Sequence, residues 1–213
     1  MKVLSAEFVT SAVGADGIPA DDLGQIAFAG RSNVGKSTLL NALVRRKLAR
    51  TSAAPGKTRL VNIYRVTVDG GPGGPGKWGV YLVDLPGYGY ARGGADAAKE
   101  LAAVAAAYLA KSGSRIPDPG RERALRATLL LVDARHPGLA LDIQAHQWLT
   151  AAAGAPRIVA TKIDKLSRAE RARNMKEMER VFGNAPLPVS AAGGEGLDEL
   201  WKLIARIART TGK

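Results

Sequence analysis

Short apolar runs alternate with helical patterns along this chain, and glycine, proline or polar residues separate them. Ile26–Ala29 reads as a buried strand ending on Gly30, and Lys36–Arg46 as the helix that follows. Leu60–Val68 and Trp78–Val83 read as strands flanking Asp69-Gly-Gly-Pro-Gly-Gly-Pro-Gly76, a composition that predicts a long hairpin loop. A hairpin reverses the chain, so one strand must run antiparallel to its neighbour. An alanine-rich helix is expected at about Ala95–Lys111, then a polar loop over Ser112–Arg123. Thr128–Val132 and Ile158–Thr161 are further buried strands, with a helix at about Leu141–Ala153 between them. Ser167 and Glu170 have the spacing of a capping box and open another helix. Near the C-terminus, Leu197, Leu200, Trp201, Ile204, Ile207 and Ala208 share one helical face, opposite Lys202, Arg206 and Arg209. The alternation predicts an α/β fold: a mainly parallel central sheet with one antiparallel strand and helices on both faces. No internal repeat or domain-sized linker interrupts it, so residues 1–213 are expected to form a single domain, with about 1–22 as an N-terminal extension.

Composition narrows the class. Hydrophobic residues make up 46% of the 213, enough for a continuous core. The chain has no cysteine, which excludes disulfide and thiol chemistry and fits a reducing compartment. There is no charged and apolar leader at the N-terminus, and runs such as Ala127–Val132 are too short to span a bilayer. The expectation is a cytoplasmic protein without membrane insertion, and a monomer. The charge changes the picture more. A formal net charge of +12 points to a polyanionic partner, with RNA and an anionic membrane surface as candidates. From Leu23 to Val68 there are nine basic residues and no acid: Arg31, Lys36, Arg45, Arg46, Lys47, Arg50, Lys57, Arg59 and Arg65. The plainer reading is a solvated surface that aids solubility.

Gly30-Arg31-Ser32-Asn33-Val34-Gly35-Lys36-Ser37 matches the phosphate-binding pattern GxxxxGK[ST], between a strand and a helix. The P-loop fold of nucleoside triphosphatases is therefore the expected one. Its glycines let successive N–H groups turn toward phosphates at the positive end of the next helix, which continues through Thr38. Lys36 supplies charge to the β- and γ-phosphates, and the Ser37 hydroxyl is placed to ligate Mg²⁺. Asp84-Leu85-Pro86-Gly87 closes an apolar strand as DxxG, with Asp84 expected to hold Mg²⁺ through water and Gly87 N–H to sense the γ-phosphate. Thr58, within Gly56-Lys57-Thr58-Arg59-Leu60, lies where a hydroxyl can complete the Mg²⁺ shell only while the γ-phosphate is present.

Thr161-Lys162-Ile163-Asp164 resembles the [NT]KxD guanine-specificity motif of GTPases and is expected to select the base. A carboxylate accepts two hydrogen bonds from N1–H and the N2 amino group of guanine, a donor pair adenine does not present. Lys162 would lay its stem along the base, and Thr161 stands where asparagine is commoner. Ser190-Ala191-Ala192, after Leu187–Val189, sits where a backbone N–H near Ala191 would meet guanine O6, with Val189 beside it. These segments predict GTP and GDP as ligands. Lys36, Thr58, Gly87 and Asn33 are the residues expected to act on the reaction, and Ser37, Thr58 and Asp84 those expected to hold the metal.

Taken in order, GRSNVGKS at 30–37, LARTSAAPGKT at 48–58, DLPGYGYA at 84–91, DARHPG at 133–138 and TKIDKL at 161–166 resemble the bacterial EngB family of translation-factor-related GTPases. The resemblance covers about residues 3–209. It implies cytoplasmic GTP binding, a role in ribosome biogenesis through the large ribosomal subunit or its precursor and ribosomal RNA, and a need in cell division and septation. The loops at 69–76 and 112–123 look longer than the family's. Ras-type switches carry glutamine directly after the DxxG glycine; here Tyr88 stands there, so intrinsic hydrolysis should be slow. Asn33 resembles the asparagine that helps related GTPases bind K⁺ against the phosphates. Its plainer role is a hydrogen bond to phosphate or loop. His136 follows a strand and reads as structural or a partner contact. Three other readings stay open: an ATPase or kinase on the same P-loop, a membrane-surface GTPase, and an RNA-binding assembly factor that holds nucleotide without turnover.

Overall fold

The computed structural model describes residues 1–12, 19, 21, 23–49, 60–72, 74, 76–89, 102–110 and 125–209. Strands β1 (Lys2–Ala12), β2 (Gln25–Gly30), β3 (Val61–Asp69), β4 (Lys77–Asp84), β5 (Leu125–Asp133), β6 (Arg157–Thr161) and β7 (Leu187–Pro188) form one sheet in the order β1-β3-β4-β2-β5-β6-β7. β3 is antiparallel to both its neighbours, and the remaining pairings are parallel. The expected single reversed strand is therefore the first arm of the Gly/Pro hairpin.

Period-2 alternation sends each strand's residues to two different cores. On one face Ile26, Phe28, Leu82, Leu129 and Leu131 pack against α1 (Lys36–Val44) and α5 (Leu197–Ala208). On the other, Ala27, Ala29, Val83, Leu130 and Val132 pack with Tyr108 and Leu109 from a helical run at 102–110 (α2). Leu149 of α3 (Ala140–Ala153) and Met178 and Phe182 of α4 (Arg168–Phe182) complete that second core. The apolar stripe read in the C-terminal helix is core: Leu200, Trp201 and Ile204 are buried, and the Trp201 indole donates to the Leu43 carbonyl of α1 at 3.0 Å. The Ser167–Glu170 capping box forms in full at the start of α4.

Two elements differ from the sequence reading. Residues 2–12, within the segment read as an extension, are an edge strand of the same sheet, with irregular register around Leu4 and Val9. Helix α1 ends at Val44 rather than Arg46, because Arg45 turns into the left-handed region (φ 53°) and its N–H closes onto the Ala42 carbonyl. The start of the alanine-rich helix and the 112–123 loop lie outside the described residues.

Four neighbouring parallel strands, β4, β2, β5 and β6, end on Asp84, Gly30, Asp133 and Thr161. Parallel sheets of this kind present ligand sites beyond the carboxyl ends of their strands. The chemistry-bearing residues are gathered on that edge.

Candidate functional site

The P-loop leaves β2 at Gly30, where an added Cβ would lie 2.8 Å from Val34 Cγ1 and force Val34 to shift. Asn33 (φ 65°) and Gly35 (φ 105°) take left-handed conformations, which asparagine tolerates better than most residues and glycine best. The loop then enters α1, whose N-terminus carries no side-chain cap, whereas α4 satisfies its own with Ser167. The first-turn amides of α1 therefore face outward as donors for an anion.

The loop's carbonyls have partners of a different origin. The Asn33 carbonyl accepts the Lys162 ammonium at 2.7 Å, and the Val34 carbonyl accepts the Thr161 hydroxyl at 2.8 Å. Thr161 thus does through its hydroxyl what a longer amide could do there. The Arg31 carbonyl accepts Val34 N–H within the loop, and Ser32 N–H donates to the Tyr88 carbonyl at 2.9 Å. Base motif and DxxG segment are both fastened to the phosphate loop.

Lys36 and Asp84 are buried and form a close ion pair. Each would be costly alone in that environment, and each is the other's partner. Ser37 is half-buried beside Lys36, and Thr38 is exposed. Leu85 is buried, its N–H donating to the Phe28 carbonyl, and Pro86 is buried next to it. An added Cβ on Gly87 would lie 3.1 Å from Ser32 Oγ, so Gly87 sits directly against the P-loop.

At the base motif, Lys162 is left-handed (φ 60°), which turns its side chain back over the P-loop. Its ammonium also reaches Asp133 at 2.9 Å. Asp133 is held a second time by Arg135, at 3.0 and 2.8 Å. Burial by itself raises the Asp133 carboxyl, but the hydrogen bonds from Arg135 and Lys162 override it and hold it well below the usual carboxylate range. Asp133 is an ionised anchor that fixes where Lys162 points. Asp164 accepts the Ser190 hydroxyl at 2.7 Å, and that bond, with Lys165 assisting against slight burial, keeps its carboxyl low. Ser190 is itself fixed by Gly193 N–H, while Val189 N–H donates to the Ala160 carbonyl and Ile163 is buried. Ala191 is half-buried and Ala192 exposed beside them.

The structure thus brings together the phosphate loop, the DxxG segment, the base motif and the Val189–Ala192 turn. Gly56, Lys57, Thr58 and Arg59 lie outside the described residues, and Leu60 is half-buried just before β3. His136 is exposed in the turn after β5. Two site residues were not assigned from sequence. Asp133 stands within the DARHPG segment, but strand-end aspartates are commonplace and only its two cationic partners single it out. Asp142, which accepts both Arg31 and the Tyr88 hydroxyl, reads in sequence as an ordinary acidic residue of a first helical turn.

Comparison with known proteins agrees with this geometry. A family model described as a 50S ribosome-binding GTPase matches residues 25–162. The chain is 40% identical to a probable GTP-binding protein EngB of Pelotomaculum thermopropionicum over the full length of both chains. It is 41% identical to another of that name from Solibacter usitatus, covering 96% of each. Among solved structures, Aquifex aeolicus Era bound to GDP and AlF4⁻ superposes with a TM-score of 0.68 at 23% identity, covering 90% of this chain and 59% of Era. A probable GTP-binding protein engB superposes at 0.62 with 19% identity, covering 87% and 99%. These two likenesses speak to the fold.

Proposed function

Because the chain belongs to the EngB family of GTP-binding proteins, a family of GTPases, we propose that it is a guanine-nucleotide switch assisting assembly of the large ribosomal subunit. The observation that carries the nucleotide half is the fastening of Thr161 and Lys162 onto the P-loop carbonyls, which sets a fixed span between phosphate and base sites. Asp164, ionised and acceptor-only, offers the two lone pairs that guanine's N1–H and N2 amino group need. Lys36 and the α1 amides receive the phosphates, with Gly30 to Thr38 forming the cradle. Thr58, with Gly56 to Leu60 around it, and Gly87 respond to the γ-phosphate. Val189 to Ala192 border the base.

The donors present suit Mg²⁺, which takes oxygen ligands and is held by one or two carboxylates together with substrate phosphates. Asp84 offers such a carboxylate and Ser37 a hydroxyl, with Thr58 as the third expected ligand. When bound, the ion neutralises charge developing on the phosphates. Asn33 is the residue proposed to favour K⁺ beside them, supplying charge where no arginine finger acts.

The family model's 50S ribosome-binding description and the basic turn after α1 support the ribosomal half of the proposal. Arg45, Arg46 and Lys47 are exposed there, immediately before the 50–59 segment that contains Thr58. Asn41 shapes the turn by accepting Leu48 and Ala49 N–H and donating to the Ala49 carbonyl. A cationic surface so placed suits ribosomal RNA, and GTP-dependent ordering of the neighbouring segment would couple docking to nucleotide. No described helix is long and apolar enough to cross a membrane. A monomer acting in the cytoplasm, with a role in division and septation, completes the proposal.

Four outcomes are expected. Asp164→Asn should weaken GTP binding about ten- to hundredfold by calorimetry, the cost of roughly 1–3 kcal/mol for donors left unpaired. Unchanged affinity would remove Asp164 from the base site. The chain should co-sediment with large-subunit particles when GTP is bound. Reversing Arg45, Arg46 and Lys47 to glutamate should weaken that binding and flatten its salt dependence, with GTP affinity kept. Full particle binding by the reversed protein would place docking elsewhere. Hydrolysis should be slow alone and faster in K⁺ than in Na⁺, and equal rates in both salts would exclude the K⁺ proposal.

A further inference from the structure

Asp142, in the first turn of α3, has no solvent exposure. Its two carboxylate oxygens share the single Arg31 Nε–H, at 3.1 and 3.2 Å, and Oδ1 also accepts the Tyr88 hydroxyl at 2.9 Å. Arg31 is the second residue of the P-loop, and Tyr88 directly follows the DxxG glycine. Their backbones already meet in an isolated parallel bridge. Gly87 lies against Ser32, and Gly89, left-handed at φ 82°, lies beside α3, where an added Cβ would stand 3.1 Å from Leu141 Cδ1. The segment 87–89 is thus laid flush on the P-loop and on α3, with one buried carboxylate tying all three. Burial and that neighbouring carboxylate push the Tyr88 phenol far above its ordinary value, so it stays protonated and donating.

The hydroxyl of Tyr88 is therefore committed to Asp142 and does not serve as a base. What the residue supplies is the position of its own backbone and that of Gly87. We propose that Asp142 is a positioning residue for GTP hydrolysis, holding Tyr88 and Arg31 at once so that the Gly87 backbone stands at a fixed distance from the P-loop. The proposal rests on the hydrolysis reading above. Since Gly87 is the expected sensor of the γ-phosphate, a displaced Gly87 affects GTP turnover and leaves GDP binding alone. Displacements of about 1 Å far from the reacting atoms can cost as much as a hundredfold in rate.

The test compares Asp142→Asn, Tyr88→Phe and the double variant with the unmodified protein under Mg²⁺. Asp142→Asn removes the charge that Arg31 needs; Tyr88→Phe keeps the ring and removes only the donated hydrogen bond. Each single change should lower kcat about tenfold with KM and GDP affinity nearly unchanged; Tyr88→Phe should also keep the melting temperature, whereas Asp142→Asn lowers it by leaving Arg31 without its partner. The double variant should lose no more than the worse single one, because groups that act as a unit are not additive. Unchanged kcat would overturn the proposal, as would parallel losses in kcat and GDP affinity, or losses that multiply. If Asp142→Asn does not fold, Tyr88→Phe decides by the same criteria. An unmodified chain without turnover would strike the hydrolysis reading itself, and the proposal with it.

Discussion

A loop that turns its amides toward phosphate must turn carbonyls the other way, and those carbonyls need partners. Every buried backbone acceptor left unpaired costs free energy comparable to a lost hydrogen bond. In this protein the segment proposed to recognise the base supplies them: the Thr161 hydroxyl for the buried Val34 carbonyl, and the Lys162 ammonium for a second, surface bond to Asn33. The shape of the proposed phosphate cradle is therefore not a property of GxxxxGK[ST] alone. It is held open by residues about 130 positions away in sequence.

The sheet makes that arrangement rigid. Both faces are packed, so β4, β2, β5 and β6 have little freedom to shift against one another. At their carboxyl ends stand Asp84, Asp133 and, one turn into α3, Asp142, all buried and each with a cationic partner. The partners differ in consequence. Lys36 is a point charge on a flexible stem and is the residue proposed to pass from Asp84 to phosphate, whereas Arg31 meets Asp142 through the Nε–H of a planar group. The pair nearest the proposed phosphate site is built for exchange, and the pair behind Tyr88 for holding.

Most of the fold could be read because strongly periodic segments report their own burial. β2 and β5 alternate cleanly between two cores, and the C-terminal stripe of Leu200, Trp201 and Ile204 packs as its spacing says. β1 escaped because only Ala6 and Ala12 are buried in it, so its place in the sheet comes from backbone pairing that side-chain pattern does not encode. The end of α1 falls two residues short of its expected position because Arg45 adopts a left-handed turn without being glycine. The P-loop, DxxG and base motif could be read because local backbone geometry ties their chemistry to fixed spacing. Asp142 and Asp133 act through partners distant in sequence, and no local pattern separates such residues from ordinary strand-end or helix-start acids.

The central claim is that the base segment holds the phosphate loop in shape, and Thr161→Val tests it most directly. Valine keeps the side chain's outline while removing the donor to the Val34 carbonyl, and Asp164 is untouched. GDP affinity, measured by calorimetry beside ADP, should fall about tenfold, equivalent to ~1.4 kcal/mol, with the preference for guanine over adenine nucleotide retained. Unaltered GDP affinity, or a lost guanine preference with phosphate binding intact, would contradict the account.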